Sequence, residues 1–479
     1  MPENSSNDDK TSHQMEPLLQ NEDTTNIVQE EKIDVTVIPM EKNPLHTIAK
    51  KPDCHSQHHK PPTTFVETLI HTVKGNLGGG AFAMGDAFKN AGLLLGPILT
   101  VILGAICIYG NHLLVNCSEI IRDKKKLAND PSFPETVELC FENGPIAFRK
   151  WTPIVRLSVK VFIVVTQLGF CCVYFVFVSS TAQTVLKSFD IDYDVKIYMA
   201  IMFVPVLLTC LIRSLKFLTP ISLLSNTCLL SGIVFTLYLS CSDFPPISER
   251  RLYSTLDTLP LFFGTIIYSF EGIALVIPLK NEMKEQSKFA KPLGVLNIGM
   301  GIIMSILISM GTIGYWKYGD AVEGSLSLNL DKAHVSSQIV QTVVGVGIMF
   351  SYALQMYVAA ELLWDEIEGT YGPFKHPVVL ELVLRCILVF ITFILAASIP
   401  ALGLFISLVG AVSSSALALV YPAMSDIALR TCPEAEGPLR TKDQFFRFVL
   451  DGILLLVALF GFTFGSFYSI GAILQEFQK

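Results

Sequence analysis

Charge is scarce in this chain. Only 16% of its 479 residues are Asp, Glu, Lys or Arg, against 51% hydrophobic, whereas a soluble domain carries about 25% charged residues. There is too little charge to cover a soluble surface. Other absences narrow the function. The tail cluster Cys54, His55, His58 and His59 fits no structural zinc spacing. The glycine run Gly75–Gly80 is not followed by the Lys-Ser/Thr of a phosphate loop. No nucleophile–base pair is evident. An enzyme is therefore not expected, nor a metal, a cofactor or a nucleic-acid partner. The first 32 residues contain no aromatic side chain and no apolar leader core, so a signal peptide is not expected either.

What is present is long uncharged stretches. Leu94–Val115, Leu218–Ser242, Pro292–Trp316, Val335–Ala360 and Cys386–Met424 carry no Asp, Glu, Lys or Arg. Runs of about 18 or more apolar residues read as membrane helices. Eleven spans are expected, at 66–93, 95–117, 155–186, 197–212, 218–241, 258–279, 292–316, 336–363, 380–398, 401–423 and 447–473, with a tight hairpin around Pro400. Residues 1–64 are polar and read as a disordered tail, with a weak dileucine-like "EPLLQ" at Glu16–Gln20. Residues 65–479 form the membrane domain. The cysteines scattered through the spans read as small apolar residues, and the loops after spans three and seven contain none.

Lys and Arg concentrate in the loops after spans two, four, six and ten, from Arg122 and Lys124 to Arg440 and Lys442. The positive-inside bias then predicts a cytoplasmic N-terminus and the last residues on the far side. Asp365, Glu366 and Glu368, after span eight, go against the pattern.

Two spans look interrupted. In the first, Gly75-Asn76-Leu77-Gly78-Gly79-Gly80 places four glycines between Lys74 and the next apolar run. Non-helical backbone at membrane depth survives only where it faces a cavity or protein. The freed N–H groups and the following half-helix would attract a carboxylate. The alternative is a close helix crossing through small residues. In the sixth span, Tyr268-Ser269-Phe270-Glu271-Gly272 sets a glutamate among apolar neighbours. A mid-membrane carboxylate costs ~2.5–3.5 kcal/mol on insertion scales, so it reads as a cavity-lining group or as a protonated structural one. Breaks five spans apart suggest an inverted repeat with a site between its halves. Substrate contacts are expected from Gly75, Asn76, Leu77, Gly78, Gly79, Gly80, Tyr268, Ser269, Phe270, Glu271 and Gly272. His71, one helical turn before Gly75, is a candidate proton carrier with Glu271 and Asp86, unless it only anchors the helix start.

The stretches "LIHTVKGNLGGG", "KNAGLLLGP", "TQLGFCCVYFVFV", "PLFFGTIIYSFEGIALVIPLKNEMK", "YALQMYVAAE" and "ISLVGAVSSSALALVYP" resemble the proton-assisted amino acid transporters of animals, within the amino acid/auxin permease superfamily. The resemblance runs from about Thr64 to Gly471. It implies an all-helical LeuT-type fold of five plus five inverted spans and one more. It also implies proton-coupled symport of small neutral amino acids at the plasma membrane or endolysosomes, with possible growth-signalling partners through the tail. The family's essential histidine falls on His71 and its glycine loop on Gly75–Gly80, with Gly79 where threonine is usual. Ala81–Gly85 replaces a proline-containing segment, Asp86 adds an acid, and Tyr109 stands where a second histidine is common, with His112 nearby. Sodium-coupled or uncoupled transport, and an amino-acid sensor with little flux, are the rival readings.

Overall fold

The computed structural model describes residues 62–213, 215–331, 334–399, 401–431, 442–476 and 478. Residues 1–61 of the polar tail, with the Cys/His cluster and the dileucine-like motif, and Pro400 of the expected hairpin lie outside them. The regular structure among the described residues is helical, apart from an isolated bridge between Thr63 and Met283. The helices are α1 (Phe65–Asn76), α2 (Gly79–Ala91), α3 (Leu95–Lys125), α4 (Phe133–Glu142), α5 (Ile146–Arg149), α6 (Thr152–Lys187), α7 (Val195–Cys210), α8 (Leu215–Ser240), α9 (Leu259–Ser269), α10 (Ile273–Glu282), α11 (Val295–Tyr318), α12 (Val335–Tyr371), α13 (Pro377–Ser398), α14 (Leu402–Val409), α15 (Tyr421–Arg430), α16 (Lys442–Phe460) and α17 (Ser466–Glu476). Wider π turns at Gly410–Ser414 and Ala416–Val420 join α14 to α15, and another at Gly461–Gly465 joins α16 to α17.

Among the described residues, nine helical stretches are long and apolar enough to cross a membrane. The protein is a multi-pass membrane protein. Helices also occupy the two remaining expected positions. One is the broken pair α1–α2. The other is α7, whose 16 residues reach only about 24 Å at 1.5 Å per residue, short of a ~30 Å hydrocarbon core. The count of eleven crossings rests on these two.

Packing follows a five-span offset. Helix α6 packs on α12 at the centre. Helix α7 lies against α6 as α13 lies against α12, and α8 against α12 as α14 against α6. Helix α11 touches both halves of the first span, and α3 touches both halves of the sixth, α9 and α10. This is the packing of an inverted repeat, and it sets the two broken spans side by side.

Two connections differ from expectation. The loop after span two contains α4, started by a Ser132/Glu135 capping box; it buries Phe133, Val137 and Phe141 beneath α6 and α15. Helix α12 runs on to Tyr371, so Asp365, Glu366 and Glu368 lie on its last turns. There Glu366 pairs with Lys160 of α6 at 2.5 Å, which lessens the acidity of that side. The cysteines among the described residues are free.

Candidate functional site

Helix α1 starts at a Thr64 cap, where Glu67 and Thr64 satisfy each other's backbone N–H groups. It ends when Leu77 turns extended. Helix α2 starts at Gly79. The break is therefore Leu77–Gly78, narrower than the glycine cluster. Gly75 and Asn76 belong to the end of α1, Gly79 and Gly80 to the first turn of α2. Glycine tolerates a helix, and here its value is close approach. A Cβ on Gly80 would stand 2.9 Å from the Ser269 α-carbon, so Gly80 permits α2 to cross α9. The small-residue crossing describes Gly80, while the opening lies just before it.

At that opening α2 has no side-chain cap, and the N–H groups of its first turn point out of the helix end. Tyr174 of α6 stands over it. A Cβ on Gly78 would lie 3.1 Å from the Tyr174 hydroxyl, and one on Gly79 would lie 3.4 Å from its ring and 3.8 Å from Ile348 of α12. Gln355 of α12 adjoins the same hydroxyl.

The sixth span is interrupted at Phe270–Gly272, between α9 and α10. Tyr268, in the last turn of α9, faces α6, its ring edge-on to Phe170 at 4.7 Å. Its buried hydroxyl has no hydrogen-bond partner. Phe170 in turn stacks with Tyr174 at 6.5 Å. Glu271 is 8% exposed and one of its carboxyl oxygens is unpartnered. It sits beside Ser414 in the π-wound part of span ten and near Cys107 of α3. π turns inside α-helices recur at functional sites, and span ten has two in succession. The two breaks touch, because a Cβ on Gly272 would overlap the Asn76 carboxamide.

The structure thus brings together Asn76, Gly78, Gly79, Tyr268, Glu271 and Gly272, and adds Tyr174, Ile348, Gln355 and Ser414. Other expected contacts point elsewhere. His71 is exposed. Helix α1 turns Thr68, Thr72 and Asn76 inward at four-residue spacing, and His71 lies about 100° off that line. His71 therefore sits off the Thr68–Thr72–Asn76 line, on the same face as Gly75. Gly75 is likewise exposed and abuts Leu275. Leu77 lines an apolar groove with Leu69, Leu229 and Ile302. The Ser269 hydroxyl donates back to the Thr265 carbonyl at 2.7 Å, and the Phe270 ring packs on Gly104 of α3. The side chains of Leu77, Ser269 and Phe270 are thus turned away from the opening. Asp86 lies beyond it, in a separate cavity of about 490 Å³ shared with Lys89, Gln183, Thr184 and Glu323, where it pairs with Lys89 at 3.7 Å.

Among the missed residues, Tyr174 had a signal in the sequence. It is a hydroxyl-bearing side chain in the otherwise apolar run "CCVYFVFV", and a buried Tyr hydroxyl calls for a partner.

Residues 61–468 match the family model described as transmembrane amino acid transporter protein. A Drosophila melanogaster protein named proton-coupled amino acid transporter-like protein pathetic is 32% identical over 367 residues, covering 76% of this chain and 77% of its own. Vacuolar amino acid transporter 4 of Saccharomyces cerevisiae is 24% identical, with 86% of this chain aligned to 58% of the longer yeast protein. Among solved structures, MhsT in complex with L-phenylalanine aligns over 83% of this chain and 100% of its own, with a TM-score of 0.46 and 11% identity.

Proposed function

This chain belongs to the transmembrane amino acid transporter protein family, and from that premise we propose that it is a proton-coupled symporter of small neutral amino acids. The observation that carries the reading is the uncapped start of α2 at Gly78 under the Tyr174 hydroxyl, together with the unpartnered Tyr268 hydroxyl and Glu271 carboxyl of the second break, which meets the end of α1 at Asn76. An amino acid's carboxylate fits the N–H groups of α2. Its ammonium fits the carbonyl end of the opposite half-helix and Glu271. The rings of Phe170, Tyr174 and Tyr268 crowd the opening, which favours a small side chain. The residues named around it supply one carboxyl group and no cation, which favours a neutral one.

Glu271 is the proposed coupling group. Its unpartnered oxygen lies at the substrate level, where proton and substrate occupancy affect each other directly. Asp86, in the cavity it shares with Lys89, is the proposed entry-side acid. The Drosophila relative's name supports proton coupling, and the yeast relative's name supports a vacuolar, endolysosomal-type membrane over the plasma membrane. The Lys/Arg-rich loops support a cytoplasmic N-terminus, where a polar tail would be open to signalling partners.

The test is uptake of a panel of labelled amino acids over a pH series in sodium-free buffer. Small neutral substrates should be taken up best, and faster at acidic pH. Uptake that requires sodium, or that favours cationic or large aromatic substrates, would overturn the proposal.

A further inference from the structure

A second group of buried charges lies away from the breaks, where α3, α15 and α16 meet. Asp426 and Arg430 come from α15, Asp451 from α16 and Tyr109 from α3. Asp426 is 1% and Asp451 0% exposed. Arg430 spends two nitrogens on Asp426, Nη2 to Oδ1 at 3.0 Å and Nε to Oδ2. The Tyr109 hydroxyl donates to Asp451 Oδ1 at 3.2 Å. Asp451 Oδ2 is buried without any partner, although the Asp426 carboxyl is within hydrogen-bonding reach. Two carboxylates only accept, so no bond joins them unless one carries a proton. Among the described residues, the other titratable groups facing the cluster are thiols, Cys117 of α3 with Cys140 of α4 beside it.

The charges do not balance. Two ionised carboxylates against one guanidinium leave a net negative charge where burial makes it costly. One proton between Asp451 and Asp426 removes that charge and satisfies the orphaned oxygen, as in other paired carboxylates that share a proton. A hard metal cation needs about six oxygen ligands, and the Asp426 oxygens are already engaged by Arg430. We propose that Asp426 and Asp451, with Arg430 and Tyr109, form a proton-binding site separate from the substrate opening. Tyr109 is two residues from Cys107, which borders Glu271, so α3 connects the two places. Loss of the proton would leave like charges facing each other between α15 and α16 and so loosen span eleven from span ten.

The test is infrared difference spectroscopy of the purified full chain titrated from acidic to alkaline pH, a readout that does not depend on transport being proton-coupled. The wild type should show the C=O band of a protonated carboxyl that disappears on deprotonation. This band should be lost in Asp451→Asn and retained in Glu271→Gln. Asp426→Asn should lose it too, which keeps the test valid if one variant fails to reach the membrane. Tyr109→Phe should shift the band by removing its hydrogen bond. Bands unchanged in both aspartate variants would overturn the proposal. So would a band that sodium removes at constant pH, because the cluster would then be a metal-cation site.

Discussion

The carboxamide of Asn76 covers the α-carbon of Gly272, so the last turn of α1 is locked against the break in the sixth span. Asn76 is held in that pose by donating to the Thr72 carbonyl at 2.9 Å. Any side chain at position 272 must displace it. Forcing extra atoms into a packed site costs ~1–3 kcal/mol, so Gly272→Ala is expected to cut uptake about tenfold or more at normal surface levels. Adding Asn76→Ala should restore part of it, since the two residues are coupled through contact. Equal uptake by Gly272→Ala and the wild type would contradict this packing.

Tyr174 stands over Gly78, at the proposed carboxylate seat. Removing one hydrogen-bonding hydroxyl costs ~0.5–1.5 kcal/mol. Tyr174→Phe should therefore raise KM roughly two- to tenfold and leave kcat near the wild-type value. A variant with unaltered KM would remove Tyr174 from the substrate's surroundings.

Glu271 and His71 separate two views of coupling. With Glu271 in the break and His71 on the exposed face of α1, Glu271→Gln is expected to flatten the pH dependence of uptake, whereas His71→Ala should remain acid-stimulated. Paired pH–uptake curves decide between them. The reverse ranking would show that α1 rotates to bring His71 inward during the cycle.

The breaks themselves were readable in the sequence, from a glycine cluster in one apolar run and a lone glutamate in another. Their extent was not. Gly75, Gly79 and Gly80 accept helical backbone, and only the approach of Leu275, Tyr174 and Ser269 reveals what each glycine makes room for. The rotation of α1 was hidden as well. Thr68, His71, Thr72 and Lys74 scatter polar atoms around the helix, so no apolar stripe marks the inward face. Helix α4 was signalled by Ser132-x-x-Glu135 but was overshadowed by the basic residues around it. The π turns of span ten left no recognisable pattern, because "GAVSSSALALV" suits an ordinary helix equally well. Asp426 and Asp451 are 25 positions apart in sequence, and only the packing of α15 on α16 makes them neighbours.

On the Lys/Arg-rich side, Lys280 of α10 is fully buried and paired with Asp130 and, at 2.6 Å, with Glu119. Arg122 reaches the same Asp130 at 3.0 Å, and Asn281 donates to its backbone carbonyl at 2.9 Å. Asp130 thus ties α3, the segment before α4 and the end of the sixth span together. Removing one partner of a buried ion pair costs ~3–5 kcal/mol. Asp130→Ala should accordingly lower the Tm of the purified protein by several degrees. An unchanged Tm would mean that the pair is not closed in solution.

Coupled transport is tested most directly by accumulation in proteoliposomes with an imposed proton gradient and no sodium. One pH unit is worth ~1.4 kcal/mol, and each 1.4 kcal/mol sustains about a tenfold concentration ratio. With one proton carried per substrate, a small neutral amino acid should concentrate about tenfold inside vesicles one pH unit more alkaline than the medium, and collapse of the gradient by a protonophore should return it to equilibrium. Accumulation that ignores the gradient, or uptake that only ever reaches equilibrium, would contradict proton-coupled symport.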